Sequence, residues 1–265
     1  MKIQNFILAI LAVASVTLSI STARAYTTGD LLLGFRDSDS TNDYVVDLGP
    51  ASNFLGQSLG FSETLSLGNI AGDLSSTGGS GLFGAGWATD ANLSWGVAGS
   101  LTSNNTLYAG QPEPTLGTLA DAPNEASHSA QSTPASNING AGSYLSFGTA
   151  SSNATNAFIE ANSQTNSWAS YMPDYVSSFS AFGYFPSFEA NSSSGITNTA
   201  LDLYSLPYHN GGGSVAGTYD GTFTIDNTGA VTFAVVPEPS TVATVVLGAG
   251  LLVVVAARRR RMAQA

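Results

Sequence analysis

Near the start of the chain, Asp37-Ser38-Asp39-Ser40-Thr41-Asn42-Asp43 sets three carboxylates among hydroxyl and amide oxygens. Closely spaced oxygen donors in a loop suit a hard cation such as calcium, so Asp37, Asp39 and Asp43 are the metal-ligating candidates. The stretch departs twice from the EF-hand pattern: Asn42 stands where the sharp turn needs Gly, and Leu48 where the bidentate Glu belongs. A solvated polar loop between two strands explains the same residues and is the preferred reading. No cofactor is assigned on this basis, and calcium is carried forward only as the ion such a loop would take.

Other chemistry has less support. The chain has no cysteine and no Gly-x-Ser-x-Gly elbow, and its two histidines, His128 and His209, lie in the polar contexts Ser127-His128-Ser129 and Tyr208-His209-Asn210-Gly211. Acids are plentiful enough to form a glycosidase-type pair, but sequence supplies no separation between them. The aromatic residues Trp168, Tyr171, Tyr175, Phe179, Phe182, Tyr184, Phe185 and Phe188 could include a platform for sugar rings; an ordinary core with some surface rings is preferred. The protein is therefore read as not an enzyme, with a carbohydrate-binding module as the first alternative and a polysaccharide-active hydrolase as the second.

The two ends position everything else. Met1 to Ala25 has Lys2 in a short charged start, an apolar run from Phe6 to Ile20, and Ala23-Arg24-Ala25, which is the order of a secretory signal peptide with signal peptidase acting after Ala25. Near the other end, Thr241 to Ala257 is an uncharged run of 17 residues. At a rise of ~1.5 Å per residue it spans roughly 25 Å as a helix, and arginines at one end let a slightly short span reach the headgroups. Arg258, Arg259, Arg260 and Arg261 follow directly and predict cytoplasmic retention of the terminal stub, with the body of the protein outside.

Residues 26–236 then hold one basic side chain, Arg36, against seventeen acids, a formal charge of −16. Such a body repels phosphate backbones and anionic headgroups, which excludes nucleic acid as a partner and leaves the membrane contact to the C-terminal helix. Without disulfides, stability has to come from burial.

The elements between the ends read as a single β-rich domain over 26–236. Apolar residues come in short runs between Gly, Ser, Thr and Asn. Strands are predicted at Asp30 to Arg36, Tyr44 to Leu48, Leu93 to Ala98, Thr106 to Ala109, Tyr144 to Phe147 and Ala200 to Leu206. A closing hairpin pairs Thr222 to Ile225 with Ala230 to Phe233, its alternation placing Phe223, Ile225, Val231 and Phe233 on one buried face. Ala157, Phe158, Ala161, Thr165, Trp168 and Met172 recur at steps of three and four and predict a helix from about Ala154 to Pro173. A second, shorter helix is expected within Ser62 to Asp73. Gln111 to Gly142, with four prolines, is read as an irregular excursion. The expected architecture is mainly β, an antiparallel sandwich or jelly-roll-like ectodomain with one or two short helices, plus a C-terminal transmembrane helix.

Val236-Pro237-Glu238-Pro239-Ser240-Thr241, the apolar run over 241–257 and the basic stub over 258–261 together resemble the PEP-CTERM sorting signal of bacterial exported proteins. The resemblance implies processing at Pro237, Glu238 and Pro239 by an exosortase-type membrane peptidase. It also implies anchoring in the inner membrane before cleavage and delivery to the cell surface or extracellular matrix, often beside exopolysaccharide. More faintly, the stretches Tyr26 to Arg36 and Tyr44 to Gly49 and the Phe223 to Phe233 hairpin are similar to one subgroup of such proteins, which brings no activity with it. The role expected is structural or adhesive.

Overall fold

The computed structural model of the protein describes residues 25–76, 82–103, 105–151, 153–171, 188–210 and 215–236. The predicted signal peptide up to Arg24 and the whole of 237–261, including the predicted transmembrane segment, lie outside the described residues. Among the described residues no helix is long and apolar enough to cross a membrane.

In chain order the strands are β1 (Asp30–Asp37), β2 (Asn42–Pro50), β3 (Ser62–Thr64), β4 (Leu93–Leu101), β5 (Thr106–Pro112), β6 (Thr149–Ala150), β7 (Ala157–Ala161), β8 (Glu189–Ala190), β9 (Ala200–Leu206), β10 (Thr218–Ile225) and β11 (Val231–Ala234). Three helices interrupt them: α1 (Ile70–Leu74), α2 (His128–Tyr144) and α3 (Trp168–Tyr171). All strand pairs are antiparallel, and they form one sheet in the order β3-β11-β10-β9-β5-β4-β1-β2-β7-β6, with β8 added to β4. The fold is mainly β, as the sequence predicts, but a single curled sheet takes the place of two stacked ones.

Curling brings side chains from both ends of the sheet into one inner core. Leu31, Leu33 and Phe35 of β1 share it with Leu201 and Leu203 of β9 and Phe223 and Phe233 of the closing hairpin. Phe54 sits between the last two, with ring centroids 5.4 and 5.2 Å away. The predicted face of the hairpin is correct: Phe223, Ile225, Val231 and Phe233 are all buried. Its turn is built by Asp226, whose Oδ1 accepts from the Thr228 and Ala230 amides, and by Gly229 at φ 78°.

The curl is tied shut by a short seam. The residues after β3 meet those before β7: Thr155 N donates to Leu67 O (2.9 Å), Asn69 N donates to Asn153 O (2.8 Å), and Gly68 bridges Ala154. Asp73 of α1 fastens this seam from inside, accepting hydrogen bonds from Tyr44 Oη (2.7 Å), Ser151 Oγ (2.5 Å) and Asn153 Nδ2 (2.8 Å).

The outer face of the central strands is covered too. Leu32, Val45, Ala98, Leu107 and Ala109 pack beneath Ala135, Ile138 and Ala141 of α2 and Trp168 of α3. This double coverage is why β1 reads Leu31-Leu32-Leu33 rather than alternating: all three are completely buried, on opposite faces.

Four expectations need correction. The helix predicted from Ala154 to Pro173 is two elements, the strand β7 paired with β2 and then the single turn of α3; its Met172 and Pro173 lie outside the described residues. Ala157, Phe158 and Ala161 fit strand spacing as well as helical spacing, and the open edge of β2 decides between them. Gln111 to Gly142 contains most of α2, capped by Ser127 and carrying Pro134 inside it. Tyr144 to Phe147, predicted as a strand, is the end of α2 and a 3₁₀ turn. Within Ser62 to Asp73 the helix is confined to α1, while Ser62 to Thr64 pair with β11.

Candidate functional site

A knot of ionisable side chains lies at one end of the outer face. Asp43 of β2 and Glu160 of β7 are direct cross-strand partners, so both point to the same side of the sheet. Arg36 of β1 and Glu189 of β8 complete the group. The guanidinium grips Glu189 from two nitrogens: Nε lies 3.0 and 2.7 Å from the two carboxylate oxygens, and an Nη 2.7 Å from the second. Trp168 roofs the group. Its Nε1 donates to Glu189 Oε1 at 2.9 Å, and its indole packs where β1 has Gly34, at which an added Cβ would fall 2.1 Å from the ring. Ala169 N, in the first turn of α3, donates to Asp43 Oδ2 at 2.7 Å.

The two cross-strand acids are unlike Glu189. Asp43 is 1 % exposed and Glu160 2 %, and Asp43 Oδ1 and both oxygens of Glu160 make no hydrogen bond of ordinary length and angle. Burial disfavours the charged form, so the Asp43 carboxyl is pushed up to about 7, with Glu189 adding to the rise and the Ala169 amide, the Arg36 charge and the Ser167 hydroxyl pulling the other way. Burial, then Asp43 itself, pushes Glu160 up to about 8, against the pull of the Trp168 amide. Burial thus favours the protonated form of the pair up towards neutral pH.

The sequence candidates fare differently from one another. Asp37 is the last residue of β1, and Asp39 lies in the loop joining β1 to β2. There Asp37 Oδ1 accepts from the Asp39 amide (2.8 Å), and Asp39 Oδ2 accepts from Asn92 Nδ2 (2.9 Å). Asp43 turns away from them, under α3. The three do not converge, and among the described residues no group of three or more His, Asp or Glu side chains is placed to hold a metal ion. His128 opens α2 with its ring against Tyr208 (5.6 Å), and the His209 amide donates to Ala126 O. Of the aromatic group, Trp168 and Phe188 are buried; the residues from Tyr175 to Phe185 lie outside the described residues.

Another pair of acids, Glu113 and Asp202, interacts beside β5 and β9. Asp202 is fully buried and accepts from Ala120 N and Thr222 Oγ1, both at 2.7 Å, which pins the loop after β5 to the sheet. Its oxygens are accounted for, so a structural role explains it. A cavity of about 110 Å³, lined mainly by Leu48, Phe54, Leu65 and Leu67 with Glu63 and Asn156, touches neither pair. It is smaller than the ~300 Å³ at which small-molecule sites usually begin.

Sequence reasoning missed Glu160, Glu189 and Arg36. One signal was available: Arg36 is the sole Lys or Arg in 26–236, and a lone cation in so acidic a body is bound to be engaged.

At the C-terminal end, β11 finishes at Ala234. The next residue is still held by the fold, with Val235 N donating to Phe61 O and Gly60 N donating to Val235 O, each at 2.9 Å. Residues 235–261 match the family model of the PEP-CTERM protein-sorting motif. The chain therefore carries a sorting signal of this class, which implies an exported protein handled by exosortase-type machinery. No curated protein and no solved structure matches the chain.

Proposed function

We propose that this protein is an exported structural or adhesive component of the cell surface or extracellular matrix. Signal peptidase releases its N-terminus after Ala25. The C-terminal segment then holds it in the inner membrane, through 241–257 and the arginines 258–261, until an exosortase-type peptidase cuts at Pro237 to Pro239. The observation that carries this reading is the sorting-motif match over 235–261, which begins where the last strand of the sheet ends. Supporting it, the body has a formal charge of −16 over 26–236 and a closed, cysteine-free sheet, suited to a surface layer in which charge keeps copies apart. Exopolysaccharide is the neighbour such a layer would have.

Intact-mass spectrometry of the exported protein tests the sorting. The expected mature form begins at Tyr26 and lacks Arg258 to Arg261, and full-length tail persisting in the surface fraction would overturn it. For the role, the protein should fractionate with the matrix and give no turnover of polysaccharide substrates. Specific binding on a glycan panel would instead mark it as a carbohydrate-binding module.

A further inference from the structure

Between Ala25 and Ala257 the chain has one Lys or Arg side chain, Arg36, and Glu189 takes it with three contacts of 2.7 to 3.0 Å. The Arg36 charge also reaches Asp43 and favours its ionised form, but neither Asp43 nor Glu160 has an ion pair of its own among the described residues. They stand directly opposite each other on β2 and β7, each at least 98 % buried, and three of their four oxygens make no hydrogen bond of ordinary length and angle. Asp43 Oδ2 receives the Ala169 amide of α3, and the other three oxygens are the ones left without such a bond. The His128 ring packs against Tyr208, and His209 is held by its main-chain amide at Ala126 O. A buried pair of like charges with unsatisfied oxygens is costly unless something positive shares the site.

We propose that Asp43 and Glu160 form the acidic half of a binding site for a hard, oxygen-seeking cation of the calcium class, closed over by α3. Carboxylate oxygens are the ligands such ions prefer, and main-chain oxygens and water complete shells of six to eight. The site is distinct from the carboxylate oxygens of Asp37 and Asp39, which bond to the Asp39 amide and to Asn92. Arg36 and Glu189 bound it as an ion pair on the side of β1 and β8. It would lock the neighbouring strands β2 and β7 to the first turn of α3.

The test uses the purified exported protein stripped with chelator and held at pH 9, where neither carboxyl keeps its proton. Millimolar calcium should raise the melting temperature by roughly 5 °C or more. Terbium, a calcium substitute excited through the neighbouring Trp168, should give saturable luminescence that calcium displaces. Glu160→Gln should lose both responses and Asp39→Asn should keep both. If Glu160→Gln fails to fold, Asp43→Asn carries the same expectation, and the terbium titration of the unaltered protein stands alone. A melting temperature and luminescence indifferent to either ion would overturn the site. So would responses that survive in Glu160→Gln or vanish in Asp39→Asn; the last would move the ion to the loop.

Discussion

Trp168 meets β1 only because residue 34 has no side chain: a Cβ there would lie 2.1 Å from the indole. Gly34→Ala must push the ring off the sheet and break its bond to Glu189, so it should cost about 1–3 kcal/mol, read as a lower urea midpoint at unchanged slope. The acids beneath that ring set a pH dependence. Asp43 and Glu160 ionise near 3.8 and 4.5 when unperturbed, but near 7 and 8 in the fold. Between those limits the native state holds more protons than the unfolded chain. The stabilisation is thus complete below about pH 4 and is lost as pH rises through 7 and 8. Burial raises Asp202 and Asp220 in the same direction, while Asp226, held by Thr228, moves the opposite way. In chelator, the melting temperature should be several degrees higher at pH 5 than at pH 8.5, and Glu160→Gln should flatten most of that slope. None of this grouping was legible in the sequence. Arg36 and Glu189 are 153 residues apart, and Asp43 finds Glu160 only through the pairing of β2 with β7.

Elements whose evidence is local were read correctly. The closing hairpin alternates Phe, Thr, Ile and Val, Thr, Phe about an Asp-Asn-Thr-Gly turn, and every partner needed lies within a dozen residues or so. Asp226→Ala removes the side chain that accepts from the Thr228 and Ala230 amides and should cost about 1 kcal/mol, seen as lower stability with the sheet's circular dichroism kept. In α2 the inward face is Ala135, Ile138 and Ala141, interleaved with Gly140, Gly142 and Pro134, so its apolar stripe is too faint to detect. The strand and turn within 154–172 failed for the opposite reason: one apolar spacing satisfied two periods, and only the partner strand could arbitrate. The seam is equally invisible in advance. Gly68 adopts φ 81°, and a Cβ there would approach Asn153 O to 2.8 Å. Gly68→Val should cost about 1–3 kcal/mol and speed amide exchange at Thr155 above that in the hairpin.

For the whole molecule, charge and sorting are the properties the sequence carries most openly, because both are read without knowing any contact. The motif, apolar run and arginines are contiguous, and the family match falls on the same residues. A body at −16 with one basic side chain repels itself, so raising sodium chloride from about 20 to about 200 mM should raise the melting temperature in chelator, where no divalent ion contributes. What the sequence could not convey is that the strands close on themselves. The sheet ends in β3 and β6, of three and two residues, and the backbone groups just beyond β3 and just before β7 are spent on each other at the seam. Unpaired amides and carbonyls along a long outer strand are what lets one chain zip onto the next and grow into fibres. With so short a bare margin, copies crowded together outside the cell should stay separate particles, and any ordered assembly they build has to use side chains or added ligands instead of shared strands.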